Sequence, residues 1–150
     1  MSDYFDTGVL LKLYTVEPES ALVQAFVHRR ARALPITELH GVESASAFRL
    51  KQFRGEATAS EVTQALRLWD RDVSTGVLRL VAVDWSRVWA EAHGLALDHA
   101  GATGCRTLDT LHVASARVLG FGRLVTTDRR QAALAARAGL SVLHPLEADR

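Results

Sequence analysis

"YFDTGVLLKLY", residues 4–14, decides how the rest of the chain is read. Tyr4 and Phe5 read as the end of a buried strand, and Val9, Leu10, Leu11, Leu13 and Tyr14 as the start of an apolar helix. Asp6 stands at the junction. A lone carboxylate is costly to bury unless it is paired, hydrogen-bonded or bound to a metal. Capping the helix is the simplest use for Asp6; a second use depends on the other acids of the chain.

Working outward, the same strand-to-helix switch recurs. Strands are expected at 2–6, 33–37, 78–83, 123–127 and 140–144. One helix starts after Thr7. A second runs over 18–31, with Pro18 at its first turn and Glu19 beside it, a favourable helix start. Residues 38–53 keep a helical period through Leu39, Val42, Ser46 and Phe53. Thr58, with Glu61 three residues on, reads as a capping box for a long helix that ends at Gly76. Ser86 is read as the cap of 87–100, and Gly101 and Gly104 as a loop. Helices follow at 107–120 and 128–139, stopped by Gly120 and Gly139. Strands alternating with helices imply an α/β fold, a parallel sheet of about five strands sandwiched between helices. Ligands of such sheets gather at the carboxyl ends of the strands. Asp6 follows the first strand and Asp128 directly follows the fourth, so both are expected at that edge.

Bulk composition fits this reading. The chain has 150 residues, 48% of them hydrophobic, enough for one domain with a real core, and no Pro/Gly/Ser-rich linker divides residues 1–150. The single cysteine, Cys105, allows no internal disulfide and suits a reducing cytoplasm. "MSDYFDTG" has no basic region leading into a long apolar run, so no signal peptide is expected, and no stretch reaches the roughly 18 apolar residues of a membrane span. The net charge of +1 points to no class of partner. All but two of the 18 Lys and Arg residues are Arg, the lysines being Lys12 and Lys51. Arg suits bidentate phosphate contacts, although genome base bias also produces such a composition.

Three further acids stand out. Glu43 lies in "LHGVESASAF", with Leu39, His40, Ser46 and Ala47 three and four positions away; an ordinary exposed helix glutamate is the alternative. Asp109 lies in "RTLDTLHVASA", near the start of a largely apolar helix, where a negative charge is favoured by about 0.3–1 kcal/mol. Asp128 reads as a helix N-cap, with Gln131 at the spacing of a reciprocal box. Each acid alone has such an explanation. Together, two at strand ends and two interrupting apolar helices, they would repel unless a hard cation joined them. Mg²⁺ takes one or two carboxylates directly and keeps several waters, and the chemistry suggested is metal-assisted attack of water on a phosphodiester.

At these residues the chain resembles the PIN-domain ribonucleases, and most closely the VapC-type toxins of bacterial toxin–antitoxin pairs. "YFDTGVLLKLY", "HGVESASAF", "RTLDTLHVASA" and "LVTTDRRQAALAARAGL" look like the four acidic motifs of that family, in order and spacing, across essentially the whole chain. The resemblance implies a single PIN domain over 1–150 and an acidic pocket of Asp6, Glu43, Asp109 and Asp128 holding Mg²⁺ or Mn²⁺, with Thr127 helping to fix the pocket through its hydroxyl. It implies a cytoplasmic endoribonuclease that cuts structured RNA such as tRNA or rRNA, forms a homodimer and is neutralised by a VapB-like antitoxin. Arg129 and Arg130 would flank the pocket and meet RNA phosphates.

His112 is read as a buried, hydrogen-bonded structural histidine rather than a ligand. None of the six histidines has zinc-like spacing with a cysteine, and Cys105 has no partner that would mark a nucleophile. Two rival functions also bear on these acids. A receiver-like signalling module would use Asp84 as phosphate acceptor, but it wants paired acids after the first strand, where Phe5 precedes Asp6, and a lysine near the last strand, where there is none. A non-catalytic PIN-like module that binds RNA or protein is the alternative reading.

Overall fold

The computed structural model describes residues 2–30 and 33–147. In chain order its elements are β1 (Asp3–Phe5), α1 (Thr7–Leu11), α2 (Ser20–Arg30), β2 (Leu34–Ile36), α3 (Glu38–Phe53), α4 (Ala59–Ser74), β3 (Leu78–Leu80), α5 (Trp85–Thr103), α6 (Thr107–Val118), β4 (Arg123–Val125), α7 (Arg129–Arg137) and β5 (Ser141–Leu143). They form two compact units, one holding the described residues up to Val9 and from Ala82 onward, the other Leu10–Val81.

The first unit carries a parallel sheet in the order β1-β4-β5. Tyr4 pairs with Leu124, and Leu124 with Val142. Leu124 and Val125 of the central strand are fully buried, as expected of a parallel strand covered on both faces. The ion pair between Asp3 and Arg123 ties β1 to β4 at the start of the ladder. Helix α6 packs on α5, α7 and β4. All seven residues from Thr110 to Ala116 are buried, Thr110, His112 and Ser115 among them, so this stretch is covered all round instead of on one stripe.

The second unit pairs β2 with β3, also in parallel, with Leu34 opposite Leu78. Phe48 of α3 meets Val62 and Ala65 of α4, with Leu11, Tyr14 and Leu66 packed against them. Tyr14 lies edge-on to Phe48, its ring also meets Trp69, and its hydroxyl donates to Asp72 at 2.9 Å.

The α/β class and the parallel strands are those expected. The strand count per sheet is lower: the five strands form a sheet of three and a separate pair. Pro35 supplies a reason at β2. Leu34 N–H donates to Val77 O toward β3, so residue 35 faces the other way, where proline has no N–H to extend the sheet.

Three helix boundaries also differ. Helix α2 starts at Ser20, not Pro18, because Ser20 N–H closes a turn on Glu17 O and its hydroxyl donates to Thr15 O. The expected last residue of that helix, Ala31, lies outside the described residues. Asp84, not Ser86, caps α5, accepting from Arg87 N–H at 3.1 Å. The same helix runs through Gly101 and stops only at Gly104, whose φ of +67° ends it.

Helix α3 buries His40, Ser44 and Phe48, whereas Val42 and Phe53 are 69% and 87% exposed. Its buried polar groups are satisfied locally: Thr37 N–H donates to His40 Nδ1 and the Ser44 hydroxyl to His40 O. No helix among the described residues is long and apolar enough to cross a membrane.

Candidate functional site

Asp6 begins where β1 ends. Its N–H donates to Val125 O at 2.9 Å, extending the ladder by one bond, and its carbonyl accepts from Val9 N–H at the first turn of α1. The backbone is thus fixed on both sides of the side chain. The carboxylate receives the Thr126 hydroxyl on Oδ2 at 3.2 Å and the Gln131 amide on Oδ1 at 3.4 Å. A Cβ at Gly8 would stand 3.2 Å from Oδ2, so glycine leaves the carboxylate its room.

Asp128 is reached through the same hydroxyl. Its N–H donates to Thr126 Oγ1 at 3.0 Å, giving a continuous link from the Asp128 backbone through Thr126 to Asp6. The Asp128 carboxylate caps α7, Oδ1 accepting from Arg130 N–H at 2.7 Å and Gln131 N–H at 2.9 Å. The capping role read for Asp128 is therefore real. The reciprocal half of the box is not formed, because the Gln131 side chain reaches Asp6 instead.

Asp109 occupies the third position of α6 and accepts from Arg106 N–H at 3.3 Å, a helix-start role, and the residue is half-buried. Cys105, at the turn between α5 and α6, senses two of the acids. Burial pushes its thiol up first; the Asp109 and Asp128 carboxylates push it further, against the Thr103 hydroxyl and Arg130. A Cβ at Gly104 would lie 3.7 Å from Arg130 Cδ, so the α5–α6 turn and the first turn of α7 are neighbours. Arg129 and Arg130 are both exposed on that turn. Asp128 and Arg129 also line an open cavity of about 590 Å³ with Thr126, Val142 and His144.

His112 is buried and bonded at both ring nitrogens, to the Tyr4 hydroxyl at 2.9 Å and the Thr7 hydroxyl at 3.2 Å. These partners sit on either side of Asp6 in the chain. The structural reading of this histidine holds, and its effect is to pin the β1–α1 junction to α6.

The structure thus links Asp6 to the Asp128 backbone through the Thr126 hydroxyl, and Asp109 and Asp128 each act on the Cys105 thiol. Glu43 is half-buried on α3 of the second unit. Among the described residues, no group of three or more His, Cys, Asp or Glu side chains is arranged to hold a metal ion. The donors at the sheet edge are all hard oxygens. They fit Mg²⁺ or Mn²⁺ taking one or two carboxylates and water, and do not form an all-protein cage.

Two residues at this edge were not singled out from the sequence. The hydroxyl on Asp6 belongs to Thr126, one residue before Thr127, to which the sequence reading gave that role. Gln131 was read only as part of a cap. Its signal was available: with Leu134 and Ala135 it forms the buried face of α7, where an amide is out of pattern.

No family model matches the sequence, and no curated protein matches it. The fold is similar to that in the crystal structure of FitAcB from Neisseria gonorrhoeae, with 13% identity over 97% of this chain and 99% of that one and a TM-score of 0.65. That likeness is one of fold.

Proposed function

We propose that the protein is a metal-dependent endoribonuclease of the PIN toxin type, a single domain over 1–150 that cuts structured RNA such as tRNA or rRNA in the cytoplasm. The observation that carries this reading is the Asp6 carboxylate, fixed at the carboxyl edge of a parallel sheet by Thr126 and Gln131 and joined through Thr126 to Asp128, in a PIN-like fold.

Asp6, Asp109 and Asp128 are the carboxylates assigned to Mg²⁺ or Mn²⁺; when bound, the ion would activate water and offset charge developing on the phosphate. Thr126 and Gln131 keep the Asp6 carboxylate oriented, so less ordering is needed when a cation arrives. Asp128 holds the first turn of α7 in place and with it Arg129 and Arg130, whose exposed guanidinium groups suit RNA phosphates. Glu43 is assigned to the chemistry from the family resemblance alone.

The same acids make the free site attractive to a cationic side chain, and a VapB-like antitoxin that offers an arginine is the partner proposed. A homodimer is part of the same proposal.

The test is cleavage of total RNA by the purified chain with Mg²⁺, Mn²⁺ or EDTA. Cleavage is expected only with metal, and Asp6→Asn and Asp109→Asn should each abolish it without lowering the melting temperature. The near-isosteric amides preserve packing while removing one charge from the cation's surroundings. Were Asp109 only a helix-start acid, its Asn variant would stay active and lose at most about 1 kcal/mol of stability. The alternative reading is a non-catalytic PIN-like module. RNA binding without cleavage in any metal would select it.

A further inference from the structure

We propose that Gln131 is a positioning residue whose side chain is kept at a cost to the fold in order to orient Asp6. The inference rests on the metal-site reading given above. Gln131 is fully buried, on the face of α7 that also carries Leu134 and Ala135. Folding alone would favour an apolar side chain there. The amide donates from Nε2–H to Asp6 Oδ1 at 3.4 Å, while its Oε1 is buried with no partner. Among the described residues only Ser115 Oγ shares that condition.

The amide orientation follows from the chemistry of Asp6. A carboxylate only accepts, so the NH₂ must face it. Turning the amide over would set two acceptors against each other and free the donor to no purpose. The carboxylate thus dictates where Nε2 goes and leaves Oε1 stranded. A buried acceptor without a partner is unfavourable, and the contact it permits is long. An arrangement poor for stability but directed at a proposed ligand points to function.

The geometry of the contact defines its role. Thr126 holds Oδ2 from the end of β4, and Gln131 holds Oδ1 from the first turn of α7. Donors on both oxygens restrict rotation about the Cβ–carboxyl bond more than a donor on one oxygen alone. Partners that orient a ligating group in this way typically change metal affinity by about 10–100-fold when removed.

Two measurements test this. In the metal-free full chain, the Gln131 side-chain amide resonances are followed by NMR in the wild type and in Asp6→Ala. The contact predicts a marked shift when the carboxylate is removed, and an unchanged resonance would overturn the proposal whatever the metal does. Gln131→Met then removes the donor and the stranded oxygen together in a side chain of similar length. Mn²⁺ affinity, measured by titration of the free ion signal, is expected to fall about tenfold or more, while the melting temperature holds or rises. A lower melting temperature with unchanged Mn²⁺ affinity would make Gln131 purely structural and overturn the proposal. If the wild type binds no Mn²⁺ while the NMR contact persists, the metal-site reading itself has failed, and the positioning role falls with it.

Discussion

At the scale of single residues, the arrangement turns on which side chains face the end of β1. The extended chain alternates its faces, so Thr126 is buried against Asp6 while Thr127 is half-exposed. An offset of one residue moves a hydroxyl from one side to the other, and the composition of "VTTD" says nothing about which threonine turns inward. Cys105 offers a chemical reporter of the same edge. Burial, then Asp109 and Asp128, raise its thiol above the ordinary range. Alkylation of Cys105 by iodoacetamide is therefore expected to need a higher pH than alkylation of free cysteine. Removing one carboxylate charge eases formation of the thiolate, so the profile of Asp128→Asn should move back to lower pH. Identical profiles for the two proteins would mean that the Asp128 field does not reach the thiol.

At the scale of elements, helix starts follow local chemistry wherever the side chain and the helix agree. Thr58 and Glu61 exchange bonds as their spacing requires, Glu61 N–H to the Thr58 hydroxyl at 3.2 Å and Thr58 N–H to the Glu61 carboxylate at 2.7 Å. For α5 two capping residues lie two positions apart, Asp84 and Ser86, and both are chemically suitable. The structure uses Asp84, leaving Ser86 inside the first turn. Asp84→Ala should accordingly cost about 1 kcal/mol in urea unfolding, while Ser86→Ala should stay within about 0.5 kcal/mol. A larger loss at Ser86 than at Asp84 would place the helix start wrongly. Helix α3 shows the limit of pattern reading: its core stripe contains His40 and Ser44, polar residues made compatible with burial by bonds to Thr37 and to the helix backbone. Counting apolar residues selects Val42 and Phe53 instead, and both are exposed.

At the scale of the whole molecule, the chain's only two lysines converge on one acid. Lys51 and Lys12 reach Glu17 at 2.8 and 3.2 Å, and Lys12 also meets Glu19 at 3.1 Å. The Lys51 contact foremost, and Lys12 after it, hold the Glu17 carboxyl at about 2, below its ordinary 4.5, against the opposing effect of burial. Because the folded-state value is the lower one, the stabilisation is fully present above about pH 5 and disappears as pH falls toward 2. Glu17→Gln should lower stability by about 1 kcal/mol near neutrality, after allowance for solvent screening. Its difference from the wild type in urea unfolding should then close toward pH 2; a difference that persists there would exclude the ion network as the cause. What the sequence by itself determined was the class of fold, the alternation of strands and helices, the burial of α6 and the marking of Asp6, Asp109 and Asp128. Those follow from hydrophobic periodicity and from acids standing where that periodicity rejects them, and both are local properties of the chain. Only the tertiary structure decided that the strands divide into three and two, that Gln131 and not a cap partner answers Asp6, and that Thr126 joins Asp6 to Asp128. Those contacts join residues 120 to 125 positions apart in the chain, and their partners are fixed by strand register and by the rotation of α7, which no nearby residue encodes.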